Sequence, residues 1–226
     1  MKNTISVVIT AAGDSFRFGE NKMMALVNGK PVLSYTLRQF QQVKAINEII
    51  VVANKKNIAD YRKIIEKFSF NAKITLGGPE RIISVYNGVK ASKGKYIITH
   101  DGNRPLTPVW LINKLIEKTI KYQAAMTAIP PTATVKYSNG FIIKKSLPRS
   151  KTWIAQTPQG FKREIILQAL GKAIGDKYFI PTDDSELVTR LGKRVYIVPG
   201  DEINVKITYP QDLITVKQLL KLSKNK

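Results

Sequence analysis

The chain predicts an α/β fold, a mostly parallel twisted sheet with helices on both faces. Three observations carry that expectation. The runs Ile5–Thr10, Ile46–Val52 and Tyr96–Thr99 are apolar almost throughout, as strands covered on both faces are. They alternate with stretches of helical apolar spacing, the pattern of a doubly covered parallel sheet. A length of 226 residues suits one such domain and is enough to bury a proper core.

In order, Ile5 to Thr10 predicts a buried strand that breaks into the small residues Ala11, Ala12 and Gly13. Small residues let a ligand approach the backbone. Arg17 and Lys22 follow, with only Glu20 as an acidic neighbour. A strand, a loop of free backbone N–H groups and two cations together suit a polyphosphate. The alternative is an ordinary turn with solvated charges. Neither a dinucleotide-binding glycine fingerprint nor a P-loop is present.

Next come a turn at Gly29 to Pro31, a helix over Val32–Val43, a strand over Ile46–Val52 and an amphipathic helix over Asn57–Phe68. A short strand, Ala72–Leu76, ends at Gly77, Gly78 and Pro79, and a helix covers Ile82–Ala91. The strand at Tyr96–Thr99 stops at His100, Asp101, Gly102, Asn103, Arg104 and Pro105. Thr107–Tyr122 is helical, with Pro108 suited to a first turn, and Ala124–Pro130 is a strand. Residues 132–153 then turn short, polar and β-prone, with Ser138, Asn139 and Gly140 as a hairpin turn. Such an arm has little apolar surface of its own and needs something else to pack on, for example another subunit. Helical spacing returns from Phe161 to Leu170 and from Asp184 to Leu191. Strands are expected at Arg194–Val198 and Val205–Thr208, and a closing helix at Pro210–Leu222. The whole of 1–226 reads as a single domain with the arm at 132–153 inserted.

Composition narrows the function. There are no cysteines, which excludes disulfides and thiolate metal sites, and His100 is the single histidine. No apolar run has membrane-spanning length and no signal-peptide pattern opens the chain, so a cytoplasmic protein without a membrane partner is expected. The net charge of +21 invites a nucleic-acid reading. However, the excess is scattered lysine, 28 Lys against 9 Arg, with no long basic block. Four of those arginines, Arg17, Arg81, Arg104 and Arg149, fall in motif-like stretches instead. The lysines read as a solvated surface whose field attracts anionic substrates.

In an open parallel sheet, ligands sit beyond the carboxyl ends of the strands. Arg17, Lys22, Gly78, Arg81, Ser84, Asp101 and Arg104 are therefore expected on one rim. Taken singly, Thr182 and Gly77 read as a cap and a turn and Arg17, Lys22 and Asp101 as functional, while an edge gatekeeper is the alternative for Lys206.

These residues resemble the 2-C-methyl-D-erythritol 4-phosphate cytidylyltransferases of the non-mevalonate isoprenoid pathway, in motif order over nearly the whole chain. The matching stretches are Ala11 to Gly13 with Arg17 and Lys22, Gly77 to Val85, His100 to Pro105, and Thr134 to Lys136. Thr157 to Phe161, Thr182 to Val188, and Asn204 to Thr208 complete them. The resemblance implies a Rossmann-like nucleotidyltransferase fold with a protruding β-arm that forms a homodimer. It implies transfer of CMP from CTP to methylerythritol phosphate, by in-line attack on the α-phosphorus with loss of pyrophosphate. By that resemblance Arg17, Lys22 and Lys206 are catalytic, and Mg²⁺ is held mainly by phosphates rather than by a protein metal site. Ala11, Ala12, Gly13, Gly78, Ser84 and Asp101 take the nucleotide. Asp101, Arg104, Arg149, Thr157, Thr182 and Lys206 take the second substrate, Arg149 from a partner's arm. The chain departs from the family pattern at Asn21 and Met23 around the loop lysine, at Pro79, at Gly102 and Asn103, and at Ala133. A ribitol 5-phosphate cytidylyltransferase shares the same machinery with another alcohol. A basic phosphate- or nucleic-acid-binding module without chemistry is the reading from a different class.

Overall fold

The computed structural model describes residues 3–222. The strands are β1 (Ile5–Thr10), β2 (Leu26–Val27), β3 (Lys30–Pro31), β4 (Ile46–Ala53), β5 (Lys73–Leu76) and β6 (Tyr96–Asp101). After them come β7 (Ala124–Ile129), β8 (Lys136–Asn139), β9 (Ile142–Ser146), β10 (Ile154–Lys162) and β11 (Tyr196–Pro199). The helices are α1 (Val32–Gln41), α2 (Ile58–Lys67), α3 (Arg81–Ala91), α4 (Val109–Tyr122), α5 (Arg163–Gly175), α6 (Asp184–Arg190) and α7 (Asp212–Leu222).

Seven strands form one sheet in the order β11-β7-β10-β6-β1-β4-β5. β1 is parallel to both β4 and β6, and β5 to β4. β10 alone runs against its neighbours, β6 and β7. It is also the strand that sequence patterning does not predict. Pro158 lacks an N–H and argues against a central strand. The structure accommodates it where pairing with β7 shifts register between Ala155 and Gln159, at a cis Thr157–Pro158 bond. A second expectation is corrected in the other direction. Residues 205–208 form no strand, and Ile207 instead pairs with the single residue Asn103.

Alternation along the strands divides the core. Val7 and Ile9 of β1 face α1, α2 and α4 through Leu37, Phe40, Tyr61 and Leu115. Val8 faces α3, α5 and α6 through Val85, Leu170 and Leu187. Helices thus cover both faces. A third, smaller cluster joins Phe18, Val32, Leu106, Ile207 and Val216 of α7. It ties the loop after β1 to the segment around residue 206. β8 and β9 form a separate antiparallel pair around a turn at Gly140, with every residue of both strands exposed.

Candidate active site

From β1 the chain crosses to β4 and β5 on one side, then returns to place β6 on the other side of β1. The carboxyl ends of β1 and β6 therefore mark the point where strand order reverses, the usual place for a ligand crevice. A cleft of about 410 Å³ opens there. Its lining includes Thr10, Asn54, Gly78 and Asp101, residues at the carboxyl ends of β1, β4, β5 and β6. Arg17, Lys22, Arg81, Ser84, Asn103 and Lys206 also line it. A cavity of about 350 Å³ at the opposite end of the strands surrounds Glu48. That carboxylate is already held by Ser6, Lys73 and the Lys93 N–H.

The loop after β1 is braced internally. The Ser15 carbonyl accepts from the N–H groups of Phe18 and Gly19, and Ser15 Oγ accepts weakly from Lys22 N at 3.4 Å. Phe18 and Met23, each directly after one of the two cations, are buried, while Arg17 stays exposed. Its guanidinium lies 5.8 Å from the Tyr209 ring centre. Burial pushes the Lys22 ammonium below its usual range, and Lys206 and Arg17 add to the shift. Three cations thus converge at the cost of mutual repulsion, an arrangement that favours an arriving polyanion.

Opposite them sits Asp101. Lys206 Nζ donates to Asp101 Oδ2 at 2.7 Å, Arg81 lies 3.7 Å from Oδ1, and Arg104 Nε lies 3.7 Å from Oδ2. Burial alone would raise this carboxyl. Lys206, Arg81 and Arg104 outweigh it and hold the group well below the carboxylate range. Arg81 also makes a two-pronged contact with Asp184 of α6, at 2.6 and 3.3 Å. The loop bearing Gly77 and Gly78 presses on the first turn of α3. A Cβ at Gly77 would stand 2.6 Å from Ser84 Oγ and 2.8 Å from Ala12 Cβ. The Gly78 N–H donates to Ser84 Oγ at 3.1 Å.

Behind the cleft lies a buried polar network. His100 is fully buried, with Nδ1 3.1 Å from Thr157 Oγ1 and Nε2 3.3 Å from Thr107 Oγ1. Burial pushes it down to about 3, so it is neutral at neutral pH. Thr157 Oγ1 accepts from the Asp101 N–H at 3.1 Å, which fixes the strand end that carries the carboxylate.

A family model described as IspD, 2-C-methyl-D-erythritol 4-phosphate cytidylyltransferase, matches residues 5–221. The chain belongs to that family. It is 40% identical to the 2-C-methyl-D-erythritol 4-phosphate cytidylyltransferase of Syntrophus aciditrophicus, over 98% of this chain and 97% of that protein. It is 39% identical to the one from Caldanaerobacter subterraneus subsp. tengcongensis, over 96% and 99%. Among solved structures, the 4-diphosphocytidyl-2C-methyl-D-erythritol synthase of Anaerococcus prevotii superposes with a TM-score of 0.87 at 32% identity, covering 96% of each chain. The Thermus thermophilus cytidylyltransferase follows with a TM-score of 0.81 at 28% identity, over 96% and 99%.

Of the residues singled out in this cytidylyltransferase family member, the cleft gathers Ala12, Gly13, Arg17, Lys22, Gly78, Ser84, Asp101 and Lys206. Others stand elsewhere. Ala11 is buried with its N–H on the Val52 carbonyl and its own carbonyl on Tyr61, so its amide is not free as the loop pattern suggests. Arg104 and Thr157 stand behind the lining, and Arg104 Nη1 donates to the Asn204 carbonyl at 2.7 Å. Thr182 is exposed, and its N–H and hydroxyl both donate to Glu186 Oε2, a capping pair at the start of α6. Arg149 is exposed in the short helical turn after β9 and does not line the cleft. Arg81 lines the cleft, as its expected place on the rim predicts, whereas Asn54, Asn103 and the Asp184 partner of Arg81 are site features that the sequence did not single out. Asp184 lies 103 residues from Arg81 in sequence, so nothing local marks the pair.

Proposed function

We propose that this chain transfers the cytidylyl group of CTP to 2-C-methyl-D-erythritol 4-phosphate, releasing pyrophosphate. Family membership and the convergence of Arg17, Lys22 and Lys206 on one cleft support that reading, the convergence being the observation that carries it. A phosphate oxygen of the alcohol phosphate forms a bond to the α-phosphorus as the bond to the bridging oxygen of pyrophosphate breaks. Such a transfer asks a protein for position and charge neutralisation, not for a covalent partner. Arg17 and Lys22 neutralise the triphosphate and the charge gathered at the α-phosphorus. Lys206 draws the attacking phosphate to the same point. Ala12, Gly13, Gly78 and Ser84 form the close backbone wall against which the base is read, and Asp101 holds hydroxyls at the strand end.

Among the described residues no three His, Asp or Glu side chains stand together as a metal site. The buried carboxylate of the cleft, Asp101, is already shared by three cations. A protein-held cation therefore does not fit this donor set, and no step is assigned to one. A divalent ion such as Mg²⁺ would be held by the triphosphate oxygens and would supply added charge neutralisation there. The proposal extends to a cytoplasmic homodimer, joined through the β8–β9 hairpin. The exposed side chains of Tyr137, Phe141, Ile142 and Ile143 support that surface, and Arg149, just beyond the hairpin, is then within reach of a partner's second-substrate pocket.

The test is pyrophosphate release from CTP and Mg²⁺, with methylerythritol phosphate set against ribitol 5-phosphate. Strong preference for the first is expected, and Lys22→Ala should abolish it without unfolding the chain. Release with neither alcohol phosphate, by folded protein that binds CTP, would refute the substrate assignment.

A further inference from the structure

The segment carrying Lys206 has no strand to hold it, yet it is bracketed on both sides. Upstream, Asn204 is buried and fully engaged. Its Nδ2 donates to the Thr157 carbonyl at 2.8 Å, its Oδ1 accepts from Thr107 Oγ1 at 2.8 Å, and its carbonyl accepts from Arg104 Nη1 at 2.7 Å. Downstream, both main-chain groups of Ile207 go to one residue. The Ile207 N–H donates to the Asn103 carbonyl at 2.9 Å, and the Ile207 carbonyl accepts from Asn103 Nδ2 at 2.5 Å. Asn103 is 3% exposed and stands two residues after Asp101, whose carboxylate receives Lys206 Nζ. One short stretch, 101–104, therefore grips the lysine at its ammonium and grips the residues two before and one after it.

We propose that Asn103 is a positioning residue for the Lys206 ammonium, acting through its side-chain hydrogen bond to the Ile207 carbonyl. This rests on the role given to Lys206 above. The Asn103–Ile207 backbone bond alone is a single pivot. The Nδ2 donor adds a second point, so the main chain beside Lys206 cannot rotate about it. Removing the donor leaves a buried carbonyl without a partner. A displacement of about 1 Å at a charge-neutralising group is enough to cost up to roughly a hundredfold in rate.

The experiment compares Asn103→Ala, Asn103→Asp and Lys206→Ala in the full chain, by steady-state pyrophosphate release and amide hydrogen exchange. Asn103→Ala should lower kcat by about tenfold or more, while the Ile207 amide loses protection and the amides of β1 and β6 keep theirs. Asn103→Asp keeps the shape but turns an acceptor toward the carbonyl, so it should be at least as impaired. Unchanged kcat in Asn103→Ala beside an inactive Lys206→Ala overturns the role of Asn103 and leaves that of Lys206. Normal turnover in Lys206→Ala removes both. A rate loss with Ile207 protection intact also overturns the proposal, because the loss would then not pass through the bracket. Should Asn103→Ala fail to fold, Asn103→Asp, which keeps the shape and lacks the donor, is scored in the same way.

Discussion

Asp101 and His100 are adjacent residues with opposite electrostatic tasks. The Asp101 carboxylate, held down by Lys206, Arg81 and Arg104, stays ionised beside the buried Arg104. Asp101→Asn leaves the buried Arg104 without its carboxylate, while Arg81 keeps Asp184, and should cost about 3 kcal/mol of stability along with activity, read by urea unfolding and pyrophosphate release. A carboxyl whose folded pKa is depressed stabilises above its unfolded value of about 3.9, and that contribution disappears as pH falls below it. The acid limb of the wild-type stability profile should accordingly be steeper than that of Asp101→Asn. His100 is a base kept neutral, pushed down to about 3 by burial. Its contribution is complete above pH of about 6.5 and declines as pH falls from there toward 3, because only the unfolded chain takes up the proton in that window. With one histidine in the chain, the single imidazole NMR signal should not titrate between about pH 5 and 8. A midpoint near 6.5 would show that the ring is solvated. At this scale much was legible, since Arg17, Lys22 and Asp101 follow strands whose apolar runs announce them. Lys206 was not legible on its own, only through the family motif Asn204 to Thr208, because one lysine among 28 carries no mark until the fold sets it against Asp101. Nor was the bracket of Asn103, which joins residues 104 positions apart.

Among the elements, α3 brings Arg81 and Ser84 to the cleft, and its depth is set by Gly88. A Cβ there would stand 2.4 Å from Val8 Cγ1 and 2.8 Å from Val52 Cγ2. Gly88→Ala gains about 1 kcal/mol of helix propensity but overpacks the contact with the sheet at a cost of about 1–3 kcal/mol. A net loss of stability is expected, together with weaker CTP binding as the first turn of α3 lifts away. Raised thermal stability with unchanged CTP affinity would show that the helix has room to move. The alternating elements were readable because periods of 2 and 3.6 separate cleanly in their apolar runs. β10 was not readable, since its pairing tolerates Pro158 at a register shift that only its neighbours reveal. The expected strand at 205–208 erred the other way. Its β-branched residues bury one side chain, Ile207, in the small third cluster without a sheet edge to join.

For the whole molecule, the charge of +21 surrounds a cleft built for a polyanion. Attraction of that kind is screened over roughly 8–10 Å at ordinary salt. Raising ionic strength should therefore lower kcat/KM for CTP far more than kcat. Equal losses in both would assign the surface lysines no part in capture. The fold class followed from the alternation of elements, whereas the sheet order could not, because strand neighbours are fixed by long-range contacts. That order has a consequence for synthesis. β6 and β7 are not paired with each other, and β10, made later than either, lies between them and joins the two halves of the sheet. A chain halted before residue 154 lacks the strand with which both β6 and β7 pair. The protein is thus closed from the middle, and Thr157, which braces Asp101, arrives on the strand that closes it.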